Sequence, residues 1–204
     1  MTVRGRLLFV LTGPAGVGKT SLVNALRTKM PDMHFCTTAT TRPPRPGEVH
    51  GVDYFFYSEE HFLSLVASGA FLEYARVPPP DGPLYGTPRA EVEDAFARGQ
   101  DVFLQVDVQG ARSVRALVPD TVTLFLRPAD VEALRRRLEG RATETDVEQE
   151  RRLRNAEVEM GYEGEFDYSA VNDDGALERT LDEVAEIIED ERRRRASNTA
   201  GSNS

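Results

Sequence analysis

A single cysteine, Cys36, stands in 204 residues. It cannot close a disulfide within the chain, so a reducing cytoplasm is the expected setting. No apolar run approaches the roughly 20 residues of a membrane span. The N-terminal run Leu7–Leu11 is also too short for the apolar stretch of a secretion signal. Basic residues are in deficit: 25 lysines and arginines face 34 aspartates and glutamates, a net charge of −9. That excludes a broad duplex nucleic-acid surface, which needs basic charge, but leaves room for a local basic pocket around a nucleotide. The three histidines, His34, His50 and His61, show no metal-ligand spacing, and structural or surface positions are expected for them. Cys36 has no evident base near it and reads as a small buried residue. There is no internal repeat.

What is present fits one globular domain with small inserted subdomains: 40% of residues are hydrophobic and 29% charged. The run Leu7–Thr12 is apolar and reads as a buried parallel strand. Helical periodicity follows over Ser21–Leu26. Thr37–Glu48 and Val77–Gly86 are rich in proline and glycine and are expected to be loops. Tyr54–Phe56 is a short strand candidate, and Glu59–Ala67 and Pro88–Arg98 have helical spacing. Asp101–Val108 and Thr121–Leu126 read as buried strands, Val131–Leu138 and Val147–Met160 as helices. Ala170-Val171 is a short strand and Leu177–Glu191 a helix with one apolar face. Strands alternating with helices imply a parallel α/β sheet. Residues 192–204 are low in complexity and are expected to be frayed or disordered. The run Arg192–Arg195 reads as a solvated helix end favoured by the helix dipole.

Gly13-Pro14-Ala15-Gly16-Val17-Gly18-Lys19-Thr20 matches G-x-x-x-x-G-K-[ST], between a strand and a helix. Glycines let backbone N–H groups approach phosphate oxygens, and the helix N-terminus adds positive potential. Lys19 supplies a cation for the β- and γ-phosphates, and the Thr20 hydroxyl can ligate Mg²⁺. A nucleoside triphosphate is the expected ligand, with Ser21 at the end of the cradle. Arg42 and Arg45 are spaced by two prolines, a geometry suited to clamping a dianionic monophosphate. Glu73 lies in the apolar stretch Ala70–Ala75 and must have partners there. A guanine offers its N1–H and 2-amino donors to such a carboxylate; adenine offers an acceptor at N1. Discrimination by an unpaired buried polar group can reach about 10⁴-fold.

Thr38-Ala39-Thr40-Thr41-Arg42-Pro43-Pro44-Arg45-Pro46-Gly47-Glu48 followed by Gly51-Val52-Asp53-Tyr54-Phe55-Phe56 closely resembles the guanylate kinase family. Phe71–Ala75, Tyr85-Gly86-Thr87, Asp107–Gly110, Arg137–Arg141 and Val171–Asp174 resemble its later motifs, so the likeness spans about residues 6–191. The resemblance implies a three-layer P-loop nucleoside monophosphate kinase fold. It implies a nucleotide-binding core of residues 1–37, 93–136 and 156–191, a GMP-binding subdomain of 38–92 and a lid of 137–155. It implies transfer of the γ-phosphoryl group from ATP to GMP with Mg²⁺, in purine metabolism and GMP recycling, without nucleic-acid or membrane partners. By the same resemblance Tyr54 and Tyr85 join the arginines at the GMP phosphate, Thr38 and Thr87 face the base, and Asp107 also faces GMP. Lys19, Arg42, Arg137, Arg141 and Arg152 would act on the phosphates, and Asn172 would meet the adenine of ATP.

Two features depart from the family pattern. Gln105 stands where the first of two aspartates is usual, so Mg²⁺ should be held more weakly, and Gln105→Asp should lower the Mg²⁺ requirement. The segment Pro78–Leu84 is longer than the family's loop; it either forms a surface insertion or shifts Tyr85. Two other functions share parts of this pattern. A ribose bisphosphate kinase on the same scaffold would have no use for Glu73, Thr38 and Thr87. A non-catalytic guanylate-kinase-like module typically has a degraded phosphate loop, whereas Gly18-Lys19-Thr20 is intact.

Overall fold

The computed structural model describes residues 5–139 and 146–201, the side chains at 138, 139, 146–149, 152 and 198–201 excepted. In chain order the elements are β1 (Leu8–Thr12), α1 (Lys19–Lys29), β2 (His34–Phe35), β3 (Ala39–Thr40), β4 (Phe55–Phe56), α2 (Glu59–Ala67), β5 (Phe71–Arg76), β6 (Leu84–Pro88) and α3 (Arg89–Ala97). Then come β7 (Val102–Gln105), α4 (Val108–Leu117), β8 (Val122–Arg127), α5 (Val131–Glu139), α6 (Asp146–Met160), β9 (Tyr168–Val171) and α7 (Leu177–Gly201). No helix among the described residues is long and apolar enough to cross a membrane.

The chain forms two compact units, and β1 passes from one into the other. The first holds residues up to Leu8 together with Asp32–Thr121; the second holds Phe9–Pro31 and the chain from Val122 onward. These bounds place α3, β7 and α4 in the same unit as the segment 38–92.

In the second unit β1, β8 and β9 form a parallel ladder, with Leu11 opposite Leu124 and Leu126 opposite Ala170. All five β1 residues are buried, as a strand covered on both faces must be. Helix α7 packs its buried Val184, Ala185 and Ile188 inward. Helices α5 and α6 meet through Leu134, Leu153 and Ala156. The expected α/β pattern therefore holds here.

In the first unit β2 runs parallel to β7, with Phe35 opposite Phe103. A second sheet has the order β4-β3-β6-β5; only β3 and β4 are parallel in it. Its core is Ala39, Phe62, Phe71 and Leu84, and the rings of Phe62 and Phe71 stack at 4.3 Å. Two expected loops therefore contain strands. Thr37–Glu48 holds β3 and Val77–Gly86 runs into β6, because tertiary pairing overrides the local turn chemistry. The insertion closes on itself: Gly82 N–H donates to the Pro78 carbonyl at 2.8 Å and Val77 N–H to that of Pro83 at 3.0 Å. Tyr85 keeps its place in the ladder opposite Ala75.

Of residues 192–204, expected to be frayed or disordered, α7 includes those through Gly201, and 202–204 lie outside the described residues. Ion pairs one turn apart carry it on, Arg192 with Glu189, Arg193 with Asp190 and Arg194 with Glu191.

Candidate active site

The phosphate loop lies in the second unit. Gly13 has φ +141°, and a Cβ there would stand 2.1 Å from the Leu126 carbonyl oxygen. Gly18 is left-handed at φ +99°, and a Cβ would meet the Asn172 amide at 2.4 Å. Only glycine fits either position. Gly18 is also the N-cap of α1, and no side chain caps that end. Its first N–H groups are thus left for an anion. Lys19 Nζ donates to the carbonyls of Gly13 at 2.5 Å and Pro14 at 3.0 Å, which holds the ammonium over the loop. Thr20, in the first turn of α1, is exposed and offers its hydroxyl oxygen. One hard oxygen ligand suits a Mg²⁺ ion that takes its other ligands from phosphates and water.

Two residues expected at ATP make hydrogen bonds to and beside this loop. Asn172 is buried, and its amide donates to the Val17 carbonyl at 2.7 Å. Arg137 spends its guanidinium on three partners. Nη1 donates to the Val17 carbonyl at 3.1 Å, Nη2 to the Asn172 carbonyl at 2.9 Å, and Nε to Asp174 at 2.8 Å. The arginine in turn holds the Asp174 carboxyl below its ordinary range. Arg141 and the Arg152 side chain lie outside the described residues.

The first unit carries two other clusters. In one, the Arg42 guanidinium sits 5.4 Å from the Tyr54 ring centre, and the Tyr54 and Tyr85 rings meet edge-on at 6.1 Å. Burial pushes the Tyr54 hydroxyl up, so it stays a neutral hydrogen-bond donor. Arg42 is gripped by Glu48, with both carboxylate oxygens at 2.9 Å. Glu48 also accepts from the Arg45 N–H at 2.6 Å, while the Arg45 side chain is exposed. The Arg42 Nε atom is buried and has no hydrogen-bond partner among the described residues. A phosphate oxygen would satisfy it.

In the other cluster Glu73 stands on β5 opposite Thr87 on β6, next to a register shift between Phe71 and Glu73. Along β5, Phe71, Leu72, Glu73 and Ala75 are buried while Tyr74 is exposed. Thr87 is fully buried and donates its hydroxyl to Glu73 Oε1 at 2.7 Å. Burial pushes the Glu73 carboxyl up to about 7, with the nearby Asp107 carboxylate adding to the rise. Asp107 caps α4 by accepting from the Gly110 N–H at 2.6 Å. Thr38, half-buried, precedes β3 directly.

The structure thus gathers Arg42, Tyr54 and Tyr85 in one place and Glu73, Thr87 and Asp107 in another. Sequence reasoning gives Glu48 no role; its spacing of six from Arg42 across three prolines is the signal that points to it. The structure also joins His34 and Cys36 to Glu91. His34 and Cys36 are two apart on an extended chain and share a side of it. Cys36 is partly buried.

The guanylate kinase family model matches residues 5–191. The guanylate kinase of Rubrobacter xylanophilus is 46% identical over 185 residues, 91% of this chain and 94% of that protein. That of Streptomyces kasugaensis is 50% identical over 81% of this chain and 79% of its own length. The crystal structure of the guanylate kinase from Anaplasma phagocytophilum superposes with a TM-score of 0.73 at 29% identity, covering 93% of this chain and 87% of that one. A family match over nearly the whole chain, with relatives this similar along most of their length, shows that the chain belongs to the guanylate kinase family.

Proposed function

We propose that the chain transfers the γ-phosphoryl group of ATP to GMP, giving ADP and GDP, in a cytoplasmic purine nucleotide pool. The observation that carries the base assignment is Glu73, buried and bonded through one oxygen to Thr87. As a carboxylate it accepts from the guanine N1–H and 2-amino group. An adenine in the same place would leave it unpaired in an apolar setting. Thr38 and Asp107 complete the base end. Arg42, with Arg45, Tyr54 and Tyr85, receives the GMP phosphate.

At the donor end, residues 13–21 wrap the ATP phosphates, Lys19 offsets their charge and Asn172 fixes the loop beside them. Thr20 would hold Mg²⁺, which when bound neutralises charge on the transferring group. Arg141 and Arg152 on the lid, residues 137–155, add positive charge there. Residues 38–92 form the acceptor-binding part. No covalent intermediate is needed, because the acceptor phosphate is the nucleophile and catalysis rests on positioning and electrostatics.

A coupled assay of ADP formation with GMP, AMP, UMP and ribose phosphates tests this. Turnover confined to GMP is the expected result. Turnover with a ribose phosphate would overturn it, and so would binding of GMP without turnover.

A further inference from the structure

We infer that His34, Cys36 and Glu91 form a binding site for a divalent metal ion of the Zn²⁺ class. The three side chains each offer one ligand atom, and those atoms all lie within 4.8 Å of one another. They come from two places. His34 and Cys36 alternate along β2 and its continuation, where the Cys36 N–H donates to the Phe103 carbonyl at 3.0 Å. Glu91 stands in the first turn of α3.

The geometry is close to what a tetrahedral ion requires. Bonds of about 2.0–2.3 Å place neighbouring ligand atoms about 3.3–3.8 Å apart. His34 Nε2 and Glu91 Oε2 are 3.0 Å apart. The set therefore needs to shift by no more than about 1.5 Å on any edge to close on an ion. Glu91 is held for the task, because its Oε2 also accepts from the Thr37 N–H at 3.1 Å. The His34 and Glu91 side chains are each 23% exposed, so an ion and a water as its fourth ligand can enter.

The donor set selects the ion. One imidazole nitrogen, one thiolate sulfur and one carboxylate oxygen suit Zn²⁺ and related transition ions. Mg²⁺ demands oxygen ligands and stays with the ATP phosphates. On binding, the thiol proton leaves to solvent and the imidazole carries its remaining proton on Nδ1. The bound ion ties the end of β2 to the start of α3; along the chain Thr38 follows the first, and Tyr85 and Thr87 precede the second.

The test uses the full chain, stripped with a chelator and titrated with Zn²⁺ and with Co²⁺ in the absence of nucleotide. One ion per chain is expected, together with a higher melting temperature. Co²⁺ should give tetrahedral visible bands and a thiolate-to-metal charge-transfer band. Cys36→Ser should abolish the charge-transfer band, and Glu91→Gln and His34→Asn should each weaken Zn²⁺ binding about tenfold or more. Melts of the ion-free variants show whether each is folded; Cys36→Ala replaces the serine variant if that one is not. Absence of saturable binding at one ion per chain overturns the site. So does Zn²⁺ affinity unchanged in folded Cys36 and Glu91 variants.

Discussion

Glu48 holds Arg42 end-on: its two oxygens lie 2.9 Å from Nη1 and Nη2, and Nε–H is buried without a partner among the described residues. The arginine is thus fixed before any phosphate arrives, and one donor is kept unspent. Only 13% of the Arg42 side chain and 18% of that of Glu48 are exposed, so the pair is not a screened surface bridge. Arg42→Lys removes the Nε–H and the planar fork together. It should raise KM for GMP about tenfold or more while KM for ATP stays near wild type, since a charge-assisted hydrogen bond is worth about 1.5–3 kcal/mol. Glu48→Gln keeps the size but releases the grip; it should raise KM for GMP in the same direction. A fall in that KM would show that Glu48 competes with the phosphate.

The raised Glu73 carboxyl gives a pH dependence with a defined sign. GMP needs the carboxylate, so binding should weaken about tenfold per pH unit below about 7 and level off above it. Glu73→Gln should remove that dependence and retain only the titration of GMP's own phosphate; calorimetry on both proteins separates the two. Stability runs the other way. Burial favours the neutral form, so the folded chain holds this proton more tightly than the unfolded chain. The stabilising contribution is complete below the ordinary value of 4.5 and is lost as pH rises through about 7. Melting of the unliganded wild type should show that extra decline with pH, and the glutamine variant should not.

Gly110 is the neighbour against which Glu73 rests. A Cβ at that position would come within 2.9 Å of Glu73 Oε2, 3.0 Å of Val106 Cβ and 3.2 Å of Asp107 Oδ1. Gly110→Ala must therefore displace the carboxyl or the α4 cap. GMP binding should weaken about tenfold, with ATP binding nearly unchanged, since overpacking typically costs about 1–3 kcal/mol. Equal GMP affinity in the variant would mean that Glu73 can move aside freely.

Arg137 joins α5 to the phosphate loop through the Val17 and Asn172 carbonyls. Arg137→Ala should lower stability by roughly 2–4 kcal/mol through those two bonds, as read by denaturant unfolding. It should also raise KM for ATP. Arg137→Lys should not rescue either effect, because one ammonium cannot span three acceptors. A pure loss of kcat at full stability would place Arg137 on the transferring phosphate instead of under the loop.

The phosphate loop was legible in the sequence because its chemistry is local: glycines at positions with no room for a Cβ, then a lysine and a hydroxyl at a helix start. Helix α2 was legible to the residue, since its apolar spacing and the Ser58 cap agree. The strands β3 and β6 were harder: they fall in or at the edge of proline- and glycine-rich segments, and their place in the sheet comes from pairing with each other across the chain. Strand β5 has neither residue type but shows no clean alternation, since Leu72 is buried beside Phe71 and Glu73. The far end of α7 was underestimated because its apolar face ends near Ile188, while surface ion pairs, invisible to a hydrophobic pattern, carry the helix on.

Which residue types the site uses was written in the sequence, since phosphate, guanine and a hard cation each demand particular donors. How those residues are committed was settled by tertiary structure. Only the folded chain sets Thr87 against Glu73 and Glu48 against Arg42, turns Asn172 and Arg137 to brace the loop, and brings Glu91 to His34 and Cys36. The reason is physical: burial and hydrogen-bond partners come from strand register and helix placement, which join residues far apart in the chain.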